Sequence, residues 1–186
     1  MSRTKPQLKF DPIQEASVVW GNNNNQEEDF SDFTILSQEG TKFPCHRLIL
    51  GSQSPPFRSM MTLDTKEKKE GQVKLQFKEE VVKGFVGFFY TRKIPQEILE
   101  GNLESFLDLA ESYDLAPLKL QVEEAAISLL TTENMVDMFY LGDFYHANQL
   151  KEASEFLISR NKEILKGQDL SRFPATTIND VLRLVC

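Results

Sequence analysis

The side chains best suited to covalent or metal chemistry are scarce in this chain and badly spaced for it. It carries two histidines, His46 and His146, and two cysteines, Cys45 and Cys186. A zinc site needs several convergent ligands, and neither CxxC nor HxxxH occurs. Cys45 and His46 are neighbours, but adjacent helical residues point to different faces, which makes a poor chelating or nucleophilic pair. Two cysteines, one of them terminal, build no framework of disulfides. No phosphate-binding loop, GxGxxG or GxSxG is present. The acidic pairs Glu27-Glu28, Glu79-Glu80 and Glu123-Glu124 sit in surface-like contexts, with nothing to bring them together as acid and base. A noncatalytic protein without metal or cofactor is expected, with both histidines structural.

Charge narrows the partners. There are 28 acidic and 21 basic side chains, for a net charge of -7. A phosphate-binding surface would have to be built locally. The best stretch, Lys66, Lys68 and Lys69, is interrupted by Glu67 and Glu70, and Glu79 and Glu80 dilute Lys74, Lys78 and Lys83. Nucleic acid is therefore not an expected ligand. No apolar run reaches membrane-spanning length, the first ten residues do not lead into an apolar stretch, and no Asn-x-Ser/Thr acceptor occurs. No membrane association is expected, and the cytoplasm or nucleus is the expected location. The aromatic content is skewed to 14 Phe against 4 Tyr and 1 Trp. Phenylalanine serves cores and oligomer interfaces alike.

A chain of 186 residues allows one domain with a small appendage. At this size about 70% of the unfolded surface can be buried, so no staple is needed. Ile13, Ala16, Val19 and Trp20 repeat at helical spacing after Pro12 and predict a short helix that must dock on another surface. The run Asn22–Asn25 reads as a linker. Phe33 and Ile35, the pair Gly40-Thr41 and Phe43 predict a strand, a turn and a second strand. Leu48, Ile49 and Leu50 predict a short helix. Ser54 before Pro55 predicts the start of another, with Phe57, Met60 and Met61 inside it.

Val73, Leu75 and Phe77 alternate with polar residues as in a half-buried strand. Val82, Phe85, Val86 and Phe89 fit a central helix, and Lys93-Ile94-Pro95 closes that unit. Two more helices follow, on Leu103 to Ala110 and on Leu118 to Leu129, separated by a loop around Asp114–Pro117. Thr131 or Thr132 then caps a helix bearing Met135, Val136, Met138 and Phe139. A turn at His146–Asn148 leads to a helix with Leu150, Ala153, Phe156 and Leu157, and a last apolar turn covers Ile178 to Val185. Strands first and helices later give a segregated α+β class. Methionine adapts to irregular packing and to partners, so Met60-Met61 and Met135/Met138 fit either a core or a docking surface.

The order of these pieces resembles a BTB/POZ domain. Ser31-Asp32-Phe33-Thr34, Phe43-Pro44-Cys45-His46-Arg47-Leu48-Ile49-Leu50 and Ser54-Pro55-Pro56-Phe57 resemble its opening. Phe88-Phe89-Tyr90-Thr91 resembles its Tyr-Thr-Gly, with Arg92 where glycine is usual. Ala110-Glu111-Ser112-Tyr113-Asp114-Leu115 with Leu118-Lys119 is similar to its Ala-Asp-x-Tyr-x-Leu segment. Leu141 to Lys151 resembles the helical extension of speckle-type POZ proteins, the beginning of a BACK-like region. The organisation implied is a dimerisation helix and linker at 1–28, a BTB/POZ domain at 29–130, a BACK-like helical pair at 131–168 and a tail at 169–186.

The resemblance implies a homodimer and an adaptor that joins a substrate protein to a cullin-3-type RING ubiquitin ligase. For the cullin it points to Phe57, Met60, Met61, Glu67, Tyr90 and Tyr113, although core packing remains an equal reading of Phe57 and Tyr113. The family's hydrophobic-x-Glu motif falls on Thr65-Lys66-Glu67. Threonine lacks the apolar surface of the usual residue, Leu63 is out of register, and cullin binding is expected to be present but weakened. For the dimer it points to Ile13, Val18, Val19, Trp20, Leu48 and Leu50. No separate substrate-reading domain is expected within this length. The alternative is a self-association scaffold or transcriptional regulator that pairs with itself or other BTB proteins and recruits no cullin.

Overall fold

A computed structural model describes residues 30–165 and 170–185 of the chain. The helix expected at Ile13–Trp20 and the linker at Asn22–Asn25 lie outside the described residues. Strand β1 (Phe33–Leu36) pairs antiparallel with β2 (Lys42–Cys45), with Phe33 opposite Cys45 and Ile35 opposite Phe43. Those four side chains are the buried ones of the pair, as alternation requires. Gly40, at φ 93°, supplies the left-handed backbone of the turn, and Ser37 closes it by accepting the Thr41 N–H on its hydroxyl.

On the other edge of β1 lies β3 (Gln72–Lys74), parallel, giving the order β2-β1-β3. The strand expected through Phe77 is shorter than its alternation suggests. Its partner ends at Leu36 where the chain turns, so only isolated bonds continue, Leu75 N–H to Leu36 at 2.9 Å and Gln38 N–H to Phe77 at 2.9 Å.

Helices α1 (Arg47–Gln53) and α2 (Pro55–Thr62) meet at Ser54. The buried Ser54 hydroxyl accepts the Phe57 N–H at 3.3 Å and donates to the Tyr113 carbonyl at 2.7 Å. The expected cap therefore also ties α2 to a distant part of the chain. The mixed-charge stretch forms α3 (Lys66–Glu70), capped by Thr65 and ended by Gly71 at φ 68°. The central helix α4 (Glu79–Thr91) is buried from Val81 to Tyr90 apart from Lys83, and Glu79 and Glu80 sit favourably in its first turn. It stops at Arg92, which holds φ 59° where glycine would be unstrained.

A short helix, α5 (Gln96–Glu100), follows Pro95 where only a closing turn was expected. Helices α6 (Leu103–Ser112) and α7 (Ala116–Ser128) complete the first core around Phe57, Phe85, Phe88 and Phe106. The hairpin of α8 (Met135–Phe144) and α9 (Asn148–Arg160) forms as expected, with its turn at His146. Its start differs. Helix α8 begins after Asn134, whose side chain accepts the Thr131 N–H and donates to the Leu129 carbonyl, so neither threonine is the cap.

Gly142 lets the two helices approach closely, since a Cβ there would lie 2.7 Å from the Lys151 nitrogen. After α10 (Lys162–Leu165), the final helix α11 (Ala175–Val185) is longer than the single turn expected. Phe173 and Val181 join Met135, Val136, Phe139 and Ile158 in a second core. The tail is thus part of the hairpin's packing.

Candidate partner-binding face

Tyr113 follows the last turn of α6, and its ring stacks on Phe57 with centroids 4.4 Å apart. Phe85 and Phe89 of α4 close around the same rings. Burial first, and then the carboxylates of Asp108 and Glu67, push the Tyr113 hydroxyl up to about 12, so it stays a neutral donor. The Glu67 charge is felt there because α3 brings it to this side of the domain. Thr65 sets that position. Its hydroxyl donates to the Met60 carbonyl at 2.7 Å and accepts the Lys68 N–H at 3.1 Å. The threonine at the hydrophobic-x-Glu position therefore has a job in the fold, that of capping α3.

Asp108 also faces a second tyrosine. Tyr145, just past α8, is pushed up to about 12 by burial, by Glu104 and Asp108, and by a hydrogen bond to Glu104. Glu104, Asp108 and Glu111 stand one turn apart along α6 and form an acidic ridge between Tyr113 and Tyr145. Neither Glu104 nor Asp108 has a salt-bridge partner among the described residues. Beyond Tyr145 the ridge gives way to Phe144, which is 59% exposed and packs edge-on against Tyr145. At the other end Leu63 is 62% exposed. Chemically this face offers carboxylates to basic side chains and rings to apolar ones.

Two polar struts hold the hairpin to the domain. Lys119 of α7 donates to the Tyr145 carbonyl at 3.0 Å and pairs with Glu111. Glu123 is 4% exposed, and its carboxylate accepts the Gln149 N–H in the first turn of α9 at 2.9 Å. A carboxylate from another helix thus does the work of an N-cap. The surface reading of Glu123-Glu124 is corrected for its first member. Met138, Ala147 and Leu150 belong to the first core and add apolar contact across the same junction.

The expected cullin residues divide on this geometry. Glu67, Met60 and Tyr113 are partly exposed, and Glu67 and Tyr113 are near neighbours. Phe57 has no exposed surface, Met61 is 9% exposed and Tyr90 is 3% exposed. Direct contact by Phe57 and Tyr90 is corrected to a supporting position. Phe57 underlies the Tyr113 ring, and the Tyr90 hydroxyl accepts the His46 N–H at 3.1 Å and meets its Nδ1 at 2.9 Å. Glu104, Asp108, Phe144 and Tyr145 were not singled out from sequence. The i, i+4 spacing of Glu104 and Asp108 on the polar stripe of α6 was the available signal.

Of the expected dimer residues, Ile13, Val18, Val19 and Trp20 lie outside the described residues. Leu48 is 82% exposed on α1 and Leu50 is fully buried, so Leu50 supports the helix and offers no surface. Leu48 borders a groove of about 490 Å³ between α1 and α2, rimmed by Asp32, Arg47 and Arg58. Cys45 is buried, with its thiol on the Phe33 carbonyl. Among the described residues no group of three His, Cys, Asp or Glu is placed to hold a metal, and no helix is long and apolar enough to cross a membrane.

Residues 22–130 match the family described as BTB/POZ domain. Among curated proteins, the chain is 31% identical over 142 residues to Kelch-like protein 23 of Mus musculus, covering 75% of this chain and 25% of that protein. The same-named protein of Homo sapiens is 30% identical over the same length and shares. BTB and MATH domain-containing protein 42 of Caenorhabditis elegans is 31% identical over 158 residues, 82% of this chain and 38% of its own. The chain thus spans between a quarter and two fifths of the length of these relatives.

Proposed function

The chain belongs to the BTB/POZ domain family, and from that premise we propose that it is a noncatalytic dimerisation module serving as substrate adaptor for a cullin-3-type RING ubiquitin ligase. Its action is geometric. A twofold dimer would present two cullin-facing surfaces, and linked contacts raise effective concentration. The observation that carries this reading is the continuity of one face across the junction of domain and hairpin. Glu67 and Tyr113 belong to the domain and Tyr145 to the hairpin, and Asp108 lies within electrostatic reach of both tyrosines. A module made only for self-association has no need of an acidic, aromatic face extended by polar struts to the hairpin.

The test is a pull-down with the cullin-3 amino-terminal region, on the wild type and on Glu67→Lys, with native mass measured alongside. Capture by the wild type, lost in the variant while the dimer persists, is expected. A wild-type dimer that captures no cullin at tens of micromolar removes the adaptor reading. It would favour the second reading, a self-association scaffold pairing with itself or other BTB proteins. The observation on that side is Thr65, whose hydroxyl serves α3 in place of an apolar anchor.

A further inference from the structure

Between α4 and the turn leading into α5 lies a groove of about 410 Å³ that neither the dimer nor the cullin reading uses. Its volume falls at the lower end of the roughly 300–1,000 Å³ of ligand sites. On the α4 side Gly84 and Gly87 present no side chain and Lys83 and Thr91 supply the rest of the lining, while Ile94 and Ile98 form the opposite side. The charged lining consists of Lys83 and Lys93, both exposed, and neither forms a salt bridge among the described residues. In a chain of net charge -7, an apolar groove whose charged lining is two lysines stands apart from its surroundings.

The backbone at the rim restricts how a ligand can bind. The Lys93 N–H is taken by the Thr91 hydroxyl at 3.2 Å, the Lys93 carbonyl accepts from that hydroxyl at 2.9 Å, and the Ile94 N–H is taken by Gln121 at 3.1 Å. These groups are satisfied within the chain, so an added β-strand would find no ladder there. What remains on offer is apolar area for side chains and positive charge at the edge. The groove also lies on the far side of α4 from the face described above. Phe85 and Phe89 point toward Phe57 and Tyr113, whereas Gly84, Gly87 and Thr91 fall well round the helix at about 100° per residue.

We infer that this groove docks a linear peptide segment of a partner protein, one with one or two large apolar side chains flanked by carboxylates. The apolar anchors enter between Gly87 and Ile98, and the carboxylates meet Lys83 and Lys93. This site is independent of the cullin reading and can be filled while the Tyr113 face is occupied.

The experiment pans a random peptide display library against the full chain and measures the selected peptides by fluorescence polarisation. Acidic-apolar peptides are expected to be enriched. Their affinity should fall about tenfold or more in Lys83→Glu/Lys93→Glu and in Gly87→Leu, weaken with added salt, and persist in Tyr113→Ala. Should Gly87→Leu not fold, the exposed lysine pair decides alone. The inference is overturned by a library without enrichment, or by selected peptides that bind the lysine variant as well as the wild type. A change of native mass in the groove variants would equally overturn it, by assigning the groove to a second copy of the chain.

Discussion

The two faces that flank the first core differ in the contact each can make. On α1 and α2, Leu48 stands exposed beside a groove whose rim mixes Asp32 with Arg47 and Arg58. On α3, α6 and the hairpin, Glu67, Glu104 and Asp108 gather around two tyrosines, and neither Glu104 nor Asp108 has a salt-bridge partner among the described residues. Across a twofold axis a surface meets its own copy. A mixed-charge apolar patch can be complementary to itself, whereas an acidic ridge facing its own image would be repelled. The α1–α2 face therefore suits self-association and the acidic face suits a different, basic partner.

The largest effect that would break this contrast is at Leu48. Leu48→Glu places a carboxylate on both copies of a twofold contact and removes two apolar anchors, each worth about 1.5–3 kcal/mol. With Leu48 in the interface, dimer affinity should weaken by orders of magnitude. The expected outcome is a shift to monomer in sedimentation at micromolar concentration, with the fold intact.

Next is Glu123→Ala, which strips the N-terminus of α9 of its buried acceptor. A hydrogen bond to a charged group is worth about 1.5–3 kcal/mol, and urea unfolding should show a loss of that order. The hairpin half of the acidic face should weaken with it, while dimer mass stays unchanged.

Thr65→Leu sharpens the comparison from the other side. It restores an apolar residue before Lys66-Glu67 and removes the cap of α3, at a cost of about 0.5–2 kcal/mol in stability. Affinity for the cullin-3 amino-terminal region should rise about tenfold or more while the melting temperature falls.

The smallest effect is on pH dependence. Tyr113 and Tyr145 are both raised to about 12, so the folded state keeps their protons above the pH at which the unfolded chain releases them. Their contribution to stability is fully present below the ordinary tyrosine range near 10, and it is lost as pH rises from there toward about 12. Tyr145→Phe should flatten part of that decline in denaturant midpoints taken across the alkaline range. Among the described residues no tyrosine lines the Leu48 groove, so the dimer mass should show no such slope.

What the sequence disclosed followed from local rules. Alternation marked β1 and β2, Ser54 before Pro55 marked the start of α2, and the apolar stripe of α4 marked the centre of the core. The elements that escaped depend on contacts between distant residues. Five residues of α5 are too few to show a helical period. The tail helix reveals its length only by packing Val181 against the hairpin. Glu123 looks like half of a solvated acidic pair until Gln149, far along the chain, is placed against it.

The candidate face was legible in the same proportion. Glu67, Met60 and Tyr113 come from motif positions, but burial of Phe57 and Tyr90 and the role of Tyr145 follow only from the assembled core. Arg92 was legible as a departure from glycine, and its φ of 59° gives that departure a physical meaning.

The central claim is that one face joins copies of this chain and the other joins a cullin. Native mass spectrometry of the full chain mixed with the cullin-3 amino-terminal region tests both halves at once. The account predicts an assembly of two chains with two cullin fragments, reduced to one of each by Leu48→Glu and to a bare dimer by Glu67→Lys. A wild-type chain that remains a dimer at every cullin concentration, or a monomer that binds none, would contradict it.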